Sequence, residues 1–378
     1  MPLANKVAQV MKKNHYTNSI LEVIKPWYLK FQGLPQILSH YSLLHLYKFS
    51  IFHRFLYPER LYIFLTTRCN LRCFICRRED YIGSDIDFEN LKILKNAIKY
   101  SKIVNLTGWG EATIYPKFPQ VLEYIYSINP NNNLIELTTN GTRLSEAIAI
   151  LLNGHLSFLQ ISLNAATDET YNRDMKNGDF LKTLTNIKKF LNALEDEAKE
   201  KIDLHFVAHT ENFREIPKFV ELAHELGIPS VSIGQYLVGC EEHRQFSLIN
   251  VKDDYNNIIS RAEARGKELD VRVVAPKFSN DLYLEKSILE FTAPPCLSPF
   301  NECFIQPDGD VGVCCYAGAE SMGNAFKVSF ESIWFGEKYH RLRQNRFFKA
   351  CRRCIPNVSF DDPRAHITEH FKTESDLK

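Results

Sequence analysis

TTRCNLRCFIC (Thr66–Cys76) places three cysteines within eight residues, at gaps of three and then two, directly after the β-rich run LYIFL (Leu61–Leu65). The 378-residue chain has ten cysteines, clustered at 69–76, 296–315 and 351–354, with Cys240 standing alone. On a helix, Cys69, Cys73 and Cys76 would share one face and could pack as a buried stripe of small hydrophobes. Asn70, Arg72, Arg77 and Arg78 make that stripe a poor one. Zinc takes four ligands, and three thiolates without a local histidine leave it short. Three thiolates suit a 4Fe–4S cluster that keeps one iron open, and the arginines would offset its negative charge. A loop just after a strand is also where chemistry tends to sit.

Composition bounds what surrounds that loop. Apolar content of 45% supports a globular core, and the length suits a large α/β domain with an accessory piece. A net charge of +1 gives no case for a nucleic-acid partner. No apolar run reaches the ~18 residues that a membrane-spanning helix needs. The start of the chain shows no secretory h-region or cleavage site, so a cytoplasmic location is expected. There, clustered cysteines read as metal ligands or reactive thiols rather than disulfides.

From Leu61 onward, strand-like runs alternate with amphipathic segments. Strands are expected at 61–66, 103–106, 134–138, 158–163, 202–208 and 231–237. Helices are expected near 88–100, 117–127, 144–153, 180–199 and 213–226, the last capped by Asn212 and stopped by Gly227. A further helix (250–266) and the strand DVRVVA follow. Six strand–helix repeats predict an α/β fold with a parallel sheet, either an open barrel or a doubly wound fold, and in both cases functional groups at the C-terminal ends of its strands. The expected organisation is a helical basic extension (1–60), a core α/β domain (61–240), a linker (241–295) and a small cysteine-bearing domain (296–378).

The C-x3-C-x2-C loop resembles the hallmark of the radical S-adenosylmethionine (radical SAM) enzymes, which follows the first barrel strand. The resemblance implies a partial (β/α)6 TIM-like barrel. Cys69, Cys73 and Cys76 would hold a 4Fe–4S cluster whose open iron takes S-adenosylmethionine. Reductive cleavage would then yield a 5′-deoxyadenosyl radical that abstracts substrate hydrogen, with flavodoxin or ferredoxin as electron donor. Family members usually carry an aromatic residue just before the third cysteine, where this chain has Ile75, with Phe74 one earlier. TGWGE (Thr107–Glu111) resembles the family's Gly-Gly-Glu turn, so Gly108, Gly110 and Glu111 would hold the methionine ammonium. Asn140 in TTNGT, Ser162 and Asn164 in SLNAAT, and Arg173 would meet the ribose and the methionine carboxylate. Gln235 and Tyr236 are candidate pocket residues.

The second cysteine group reads physically as a tetrathiolate site, for which structural zinc is the plain alternative. It also resembles the auxiliary-cluster domains called SPASM and twitch. The matching features are Pro307-Asp308-Gly309, G-x4-C ending at Cys314, Gly323-Asn324, Ile333-Trp334, Leu342-Arg343 and Cys351-x2-Cys354. The resemblance implies one auxiliary 4Fe–4S cluster on Cys296, Cys314, Cys351 and Cys354, making two clusters in all. Cys303 and Cys315 are left over, and Cys303 lies in a strand where packing is expected.

The resemblance implies an enzyme, with oxidation of a small polar substrate as the leading expectation and the auxiliary cluster as electron acceptor. Its twitch-like spacing is similar to that of the radical dehydrogenases of aminocyclitol biosynthesis. Modification of a ribosomally made peptide is the second enzyme reading, and a non-enzymatic iron–sulfur or zinc scaffold the third. Residues 1–60 hold eight Lys/Arg against Glu22 and Glu59, with ten aromatics. They suit a cover for the barrel, contact with an anionic membrane surface, or docking of an acidic carrier or leader peptide.

Overall fold

A computed structural model describes residues 57–76, 83–128, 134–236, 238, 241–278, 298–314 and 320–345. The basic segment 1–56 and Cys240, Cys296, Cys315, Cys351 and Cys354 lie outside the described residues.

The strands, in chain order, are β1 (Arg60–Ile63), β2 (Arg72–Cys73), β3 (Ile103–Asn105), β4 (Leu134–Thr139), β5 (Leu156–Ser162), β6 (Met175–Lys176), β7 (Ile202–Ala208), β8 (Ser230–Gln235), β9 (Arg272–Val274), β10 (Glu302–Ile305) and β11 (Val311–Gly312). Nine form one sheet in the order β11-β10-β1-β3-β4-β5-β7-β8-β9, and β2 pairs with β6. Every neighbouring pair in the large sheet is parallel except β10–β11. The six expected strands therefore stand side by side in chain order, with helices between them. This is a partial (β/α)6 barrel with a small C-terminal helical domain. Its wall is extended by β9 at one end and by the β10–β11 hairpin at the other.

One face of the sheet is dry and the other is not. Leu61, Ile63, Leu204 and Phe206 are fully enclosed, and Phe206 meets Phe219 edge-on at 4.9 Å between centroids. Tyr62, Ser162, His205 and Ser232, on the opposite face, are half-buried. Successive strand residues point to opposite faces. The helices thus cover one set, and the other lines the concave side, or lumen.

Phe219 lies on the helix Ile216–Leu226, whose Ile216, Phe219, Val220 and Ala223 recur at i, i+3, i+4 and i+7. Gly227 stops that helix at φ 70°, as expected. Asn212 differs from the cap predicted for it. Its Oδ1 accepts from His209 N at 2.7 Å and its amide donates to Val207 O at 3.0 Å, so it braces the end of β7 instead.

Two expected helices are divided. The first breaks at Leu94 (ψ 10°) into Phe88–Ile93 and Lys95–Tyr100. The second ends at Asn192, because Asn153 donates to Ala193 O (3.2 Å) and accepts from Glu195 N (3.1 Å). That side chain bridges the break before the short helix Asp196–Lys199.

Strand β10 was not separately expected as a member of the barrel. It lies parallel beside β1, with Leu61 opposite Cys303 and Ile63 opposite Ile305. Cys303 is fully buried 3.6 Å from the Tyr339 hydroxyl, and burial pushes its thiol up to about 12. It is a packing group, as its strand position suggested.

Phe206→Ala empties a site enclosed by the sheet and the helix Ile216–Leu226. It should cost about 3–5 kcal/mol in equilibrium urea unfolding with an unchanged m-value. A loss well under 1 kcal/mol would contradict the packing described.

Candidate functional site

The cysteine loop leaves the C-terminal end of β1 and is tied down before its first thiol. Thr66 Oγ1 donates to Asp85 Oδ1 at 2.6 Å, and Arg68 grips the same carboxylate, with Nε 2.8 Å from Oδ1. The Glu111 amide donates to Arg68 O at 2.8 Å. Gly110 is required at this approach, since a Cβ there would run into the carbonyls of Thr66 and Arg68. Gly108 lies against the Phe64 ring in the same way.

The thiols are not on a helix. Cys73 lies in β2, opposite Met175 of β6, and Phe74 N donates to Asp174 O at 2.9 Å. Cys76 follows a turn closed by its own N–H on Cys73 O at 3.1 Å. Cys69 and Cys73 are half-buried and Cys76 is exposed. Burial, with the nearby charges of Cys69 and Cys76, pushes the Cys73 thiol up to about 12.

Phe74 packs among His209, Tyr236, His243 and Phe246 at centroid distances of 4.5–5.3 Å. The aromatic side chain one place before the family's usual position therefore anchors the loop to the barrel rim.

Glu111 joins three strand ends. Fully buried, its carboxylate accepts from Thr113 Oγ1 (2.6 Å), Thr139 Oγ1 (2.7 Å) and Asn140 N (2.7 Å). Burial raises its pKa, and these donors pull in the other direction. The Asn140 amide group lies 3.1 Å from Asn70 Oδ1 and 3.8 Å from Cys69 Sγ. Leu71 N also approaches that sulfur at 3.4 Å.

At the next rim position, Ser162 ends β5, opposite His205. Asn164 takes a left-handed φ of 61° and accepts from Val207 N at 2.9 Å. Arg173 forks onto its neighbour Asp174 at 2.7 and 3.0 Å and lies 3.6 Å from Glu211. Burial alone would raise the Asp174 pKa, but hydrogen bonds from His209 and Arg173 outweigh it and hold the carboxyl below its usual value. His209 Nδ1 accepts from Glu211 N, so Nε2 carries the proton and donates to Asp174 Oδ2 at 3.0 Å.

The expected rim residues are therefore arrayed along successive strand ends, with Cys69, Glu111 and Asn140 in direct linkage. Arg173 instead faces two acids of its own rim. Asp85, Asp174, His209 and Phe246 escaped the sequence reading. Asp85 meets Arg68, 17 residues away, Asp174 meets His209, 35 residues away, and Phe246 meets Phe74, 172 residues away, and no spacing advertises these pairs.

Among the described residues, no set of three or more Cys, His, Asp and Glu side chains converges as a ready-made metal site. The loop nevertheless fits a thiolate-held cluster in its donors: three neighbouring thiols, with two N–H groups directed at Cys69 Sγ. Hydrogen bonds of this kind stabilise thiolate sulfur.

Cys314 stands at the other end of the wall. Gly312 of β11 faces Phe304, and the antiparallel hairpin then runs back toward Glu302. There, Ser298 Oγ lies 2.8 Å from Val313 O and 2.9 Å from Glu302 Oε2. Arg60, at the start of β1, grips Glu136 at 2.7 and 3.0 Å and reaches Glu302 at 3.4 Å. From Arg60 to Thr66 the wall is ~20 Å long at about 3.3 Å per residue.

Comparison with known proteins finds two family matches. Residues 63–241 match the Radical SAM superfamily, and residues 296–355 match SPASM, an iron–sulfur cluster-binding domain. A tungsten-containing aldehyde ferredoxin oxidoreductase cofactor-modifying protein of Pyrococcus furiosus is 26% identical over 326 residues, covering 78% of this chain and 86% of that one. SuiB of Streptococcus suis, bound to the precursor peptide SuiA, superposes with a TM-score of 0.58 at 15% identity, covering 87% and 81% of the two chains. The structure of anSMEcpe with bound AdoMet and the Cp18Cys peptide gives 0.56 at 18% identity, covering 78% and 85%. These two structures share the fold.

Glu111→Ala leaves the Asn140 N–H and two hydroxyls without their acceptor, at a cost of about 1–3 kcal/mol. Faster hydrogen exchange at residues 138–142 and weaker S-adenosylmethionine binding are expected, with iron content near wild type. Loss of iron with unaltered cofactor affinity in the remaining holoprotein would make Glu111 a purely structural residue.

Proposed function

Because the chain is a radical SAM enzyme with a C-terminal SPASM-type iron–sulfur domain, we propose that it oxidatively modifies a peptide substrate held in the barrel lumen. One observation carries this reading: among the described residues the sheet does not close, since β9 and β11 each pair on one side only. Among those residues the lumen is open along a side as well as at the rim, and β9 is an edge strand that carries the exposed Val274. An extended chain can enter such a slot and add to such an edge. The peptides named with two proteins of the same fold, SuiA and Cp18Cys, favour this reading over a small polar substrate.

Cys69, Cys73 and Cys76 would hold the first cluster, and Cys296, Cys314, Cys351 and Cys354 an auxiliary 4Fe–4S cluster. When bound, the first cluster and S-adenosylmethionine supply the removal of one hydrogen atom from the substrate. Glu111, Asn140, Ser162 and Asn164 would orient the cofactor at the rim, and Gly108 and Gly110 would let it approach the backbone. Asp85, through Thr66 and Arg68, holds the loop in place.

The separation of the two cysteine regions along one wall supports the division of labour. Substrate between them can lose a hydrogen atom at the rim and an electron toward the floor. Flavodoxin or ferredoxin is the proposed electron donor. The basic residues 1–60 are proposed to contact a carrier or an anionic surface.

Two measurements test this reading. Replacing Cys69, Cys73 and Cys76 by Ala should remove about four irons per chain and abolish 5′-deoxyadenosine formation. In the second, reconstituted holoenzyme is given S-adenosylmethionine, dithionite and host-cell peptide extract from deuterated medium. Deuterium should pass into 5′-deoxyadenosine, and protease pretreatment of the extract should prevent it. Transfer that survives proteolysis would replace the peptide with a small molecule.

A further inference from the structure

Below the rim, the lumen holds a chain of polar groups that neither the cysteine loop nor the cofactor positions use. Asp203 and His205 lie on β7, Gln160 on β5, and Ser230 and Ser232 on β8, on the concave face of the sheet. The Asp203 carboxylate accepts from Ser230 Oγ at 2.8 Å, from Gln160 Nε2 at 3.3 Å and from Ser232 Oγ. Ser232 has one proton, and the carboxylate takes it. Its oxygen must then accept from His205 Nδ1, 2.8 Å away. Proton order along the chain thus fixes the imidazole tautomer: Nδ1 carries hydrogen and Nε2 keeps its lone pair.

Nε2 has no partner among the described residues. Gly234 lies alongside it, and a Cβ there would stand 3.3 Å from both Nε2 and Cε1. The missing side chain leaves that nitrogen room for an incoming group. His205 is also close to the rim residues. It is opposite Ser162 in register, and its carbonyl accepts from Asn164 N at 3.2 Å.

We propose that His205 is a catalytic base, its Nε2 taking a proton from the substrate heteroatom next to the carbon that loses hydrogen. The proposal rests on the radical reading above. One C–H bond breaks, its hydrogen atom going to the adenosyl carbon. One N–H, O–H or S–H bond breaks, its proton going to Nε2. The remaining electron goes to the auxiliary iron–sulfur cluster, and the substrate, two hydrogens poorer, gains one bond. Ser232 and Asp203 are positioning residues that act through the ring.

Burial also lowers the His205 pKa, with Asp203 opposing it, which favours the neutral ring. Among the described residues, the charged groups facing this region are Asp203 and, through Ser230 Oγ at 3.2 Å, Arg272 of β9. The base form predominates above the pKa, so product formation should decline only below the ordinary histidine range.

The test has a substrate-free arm and a turnover arm. In ¹⁵N spectra of the holoenzyme, His205 should show a protonated Nδ1 and an unprotonated Nε2. Ser232→Ala should disturb that signature, and Ser232→Thr should restore it. An Nε2-protonated ring in wild type overturns the proposal whatever the substrate is. In the deuterated-peptide assay, His205→Gln should keep deuterium transfer to 5′-deoxyadenosine. It should lower the yield of peptide two hydrogens lighter by at least tenfold. Wild-type yield of that product from His205→Gln overturns the base while leaving the radical reading intact. Loss of deuterium transfer in this variant, with iron content and cofactor binding preserved, overturns it too, by assigning His205 to hydrogen abstraction itself.

Discussion

A single buried carboxylate organises the rim of this barrel. Glu111 accepts from Thr139 and Asn140 at the end of β4 and from Thr113 in its own turn, while its amide donates to Arg68 ahead of Cys69. An uncompensated buried carboxylate is expensive, so each of these donors is needed. They come from the connections after β3 and β4, the connection after β1 supplies the Arg68 carbonyl that accepts from the Glu111 amide, and the geometry closes only when β1, β3 and β4 are in register. Fold and site are therefore set by the same contacts. The sheet brings the donors together, and the donors hold the cysteine loop above it.

The lumen repeats this arrangement lower down. Arg60 with Glu136 and Glu302, and Asp203 with its serines, put charge on the face of a parallel sheet that is more often wholly apolar. Asp203 and Glu136 are buried, and it is their ion pair and hydrogen bonds that make these charges tolerable. The large apolar core lies between the convex side and the helices, while the concave side mixes these polar groups with a smaller aromatic contact of Tyr62 on Phe304.

The strands and most helices were legible because their signals are local: β-branched runs for β4 and β7, an i, i+3, i+4, i+7 stripe for Ile216–Leu226, and a glycine stop at Gly227. The cysteine spacing and the TGWGE turn were equally local. Partnerships decided across long sequence distances were not legible. Asn212 carries a good capping side chain, yet two backbone groups at the end of β7 compete for it and win. Arg173 looked free to meet a carboxylate of the cofactor, and the sequence offered no sign that Asp174 and Glu211 would stand beside it. His205 and Ser232 were only letters in two strands until the register set them side by side.

Strand parity settles a further matter that spacing left open. In β10, Phe304 stacks on Tyr62 at 4.1 Å and Glu302 reaches Arg60, so the even-numbered residues face the lumen. Cys303 must then point the other way, where Tyr339 closes over it. A thiol locked between a sheet and a helix, with its pKa pushed up to about 12, is poorly suited to bind iron without unpacking the hairpin. Cys314, beyond the pairing of β11, is half-buried where the chain leaves the sheet and packs against the edge of the core. Two cysteines eleven residues apart are thus held differently: the pleat encloses Cys303 in the core, while Cys314 lies half-buried just past the last paired residue, where no strand parity governs it.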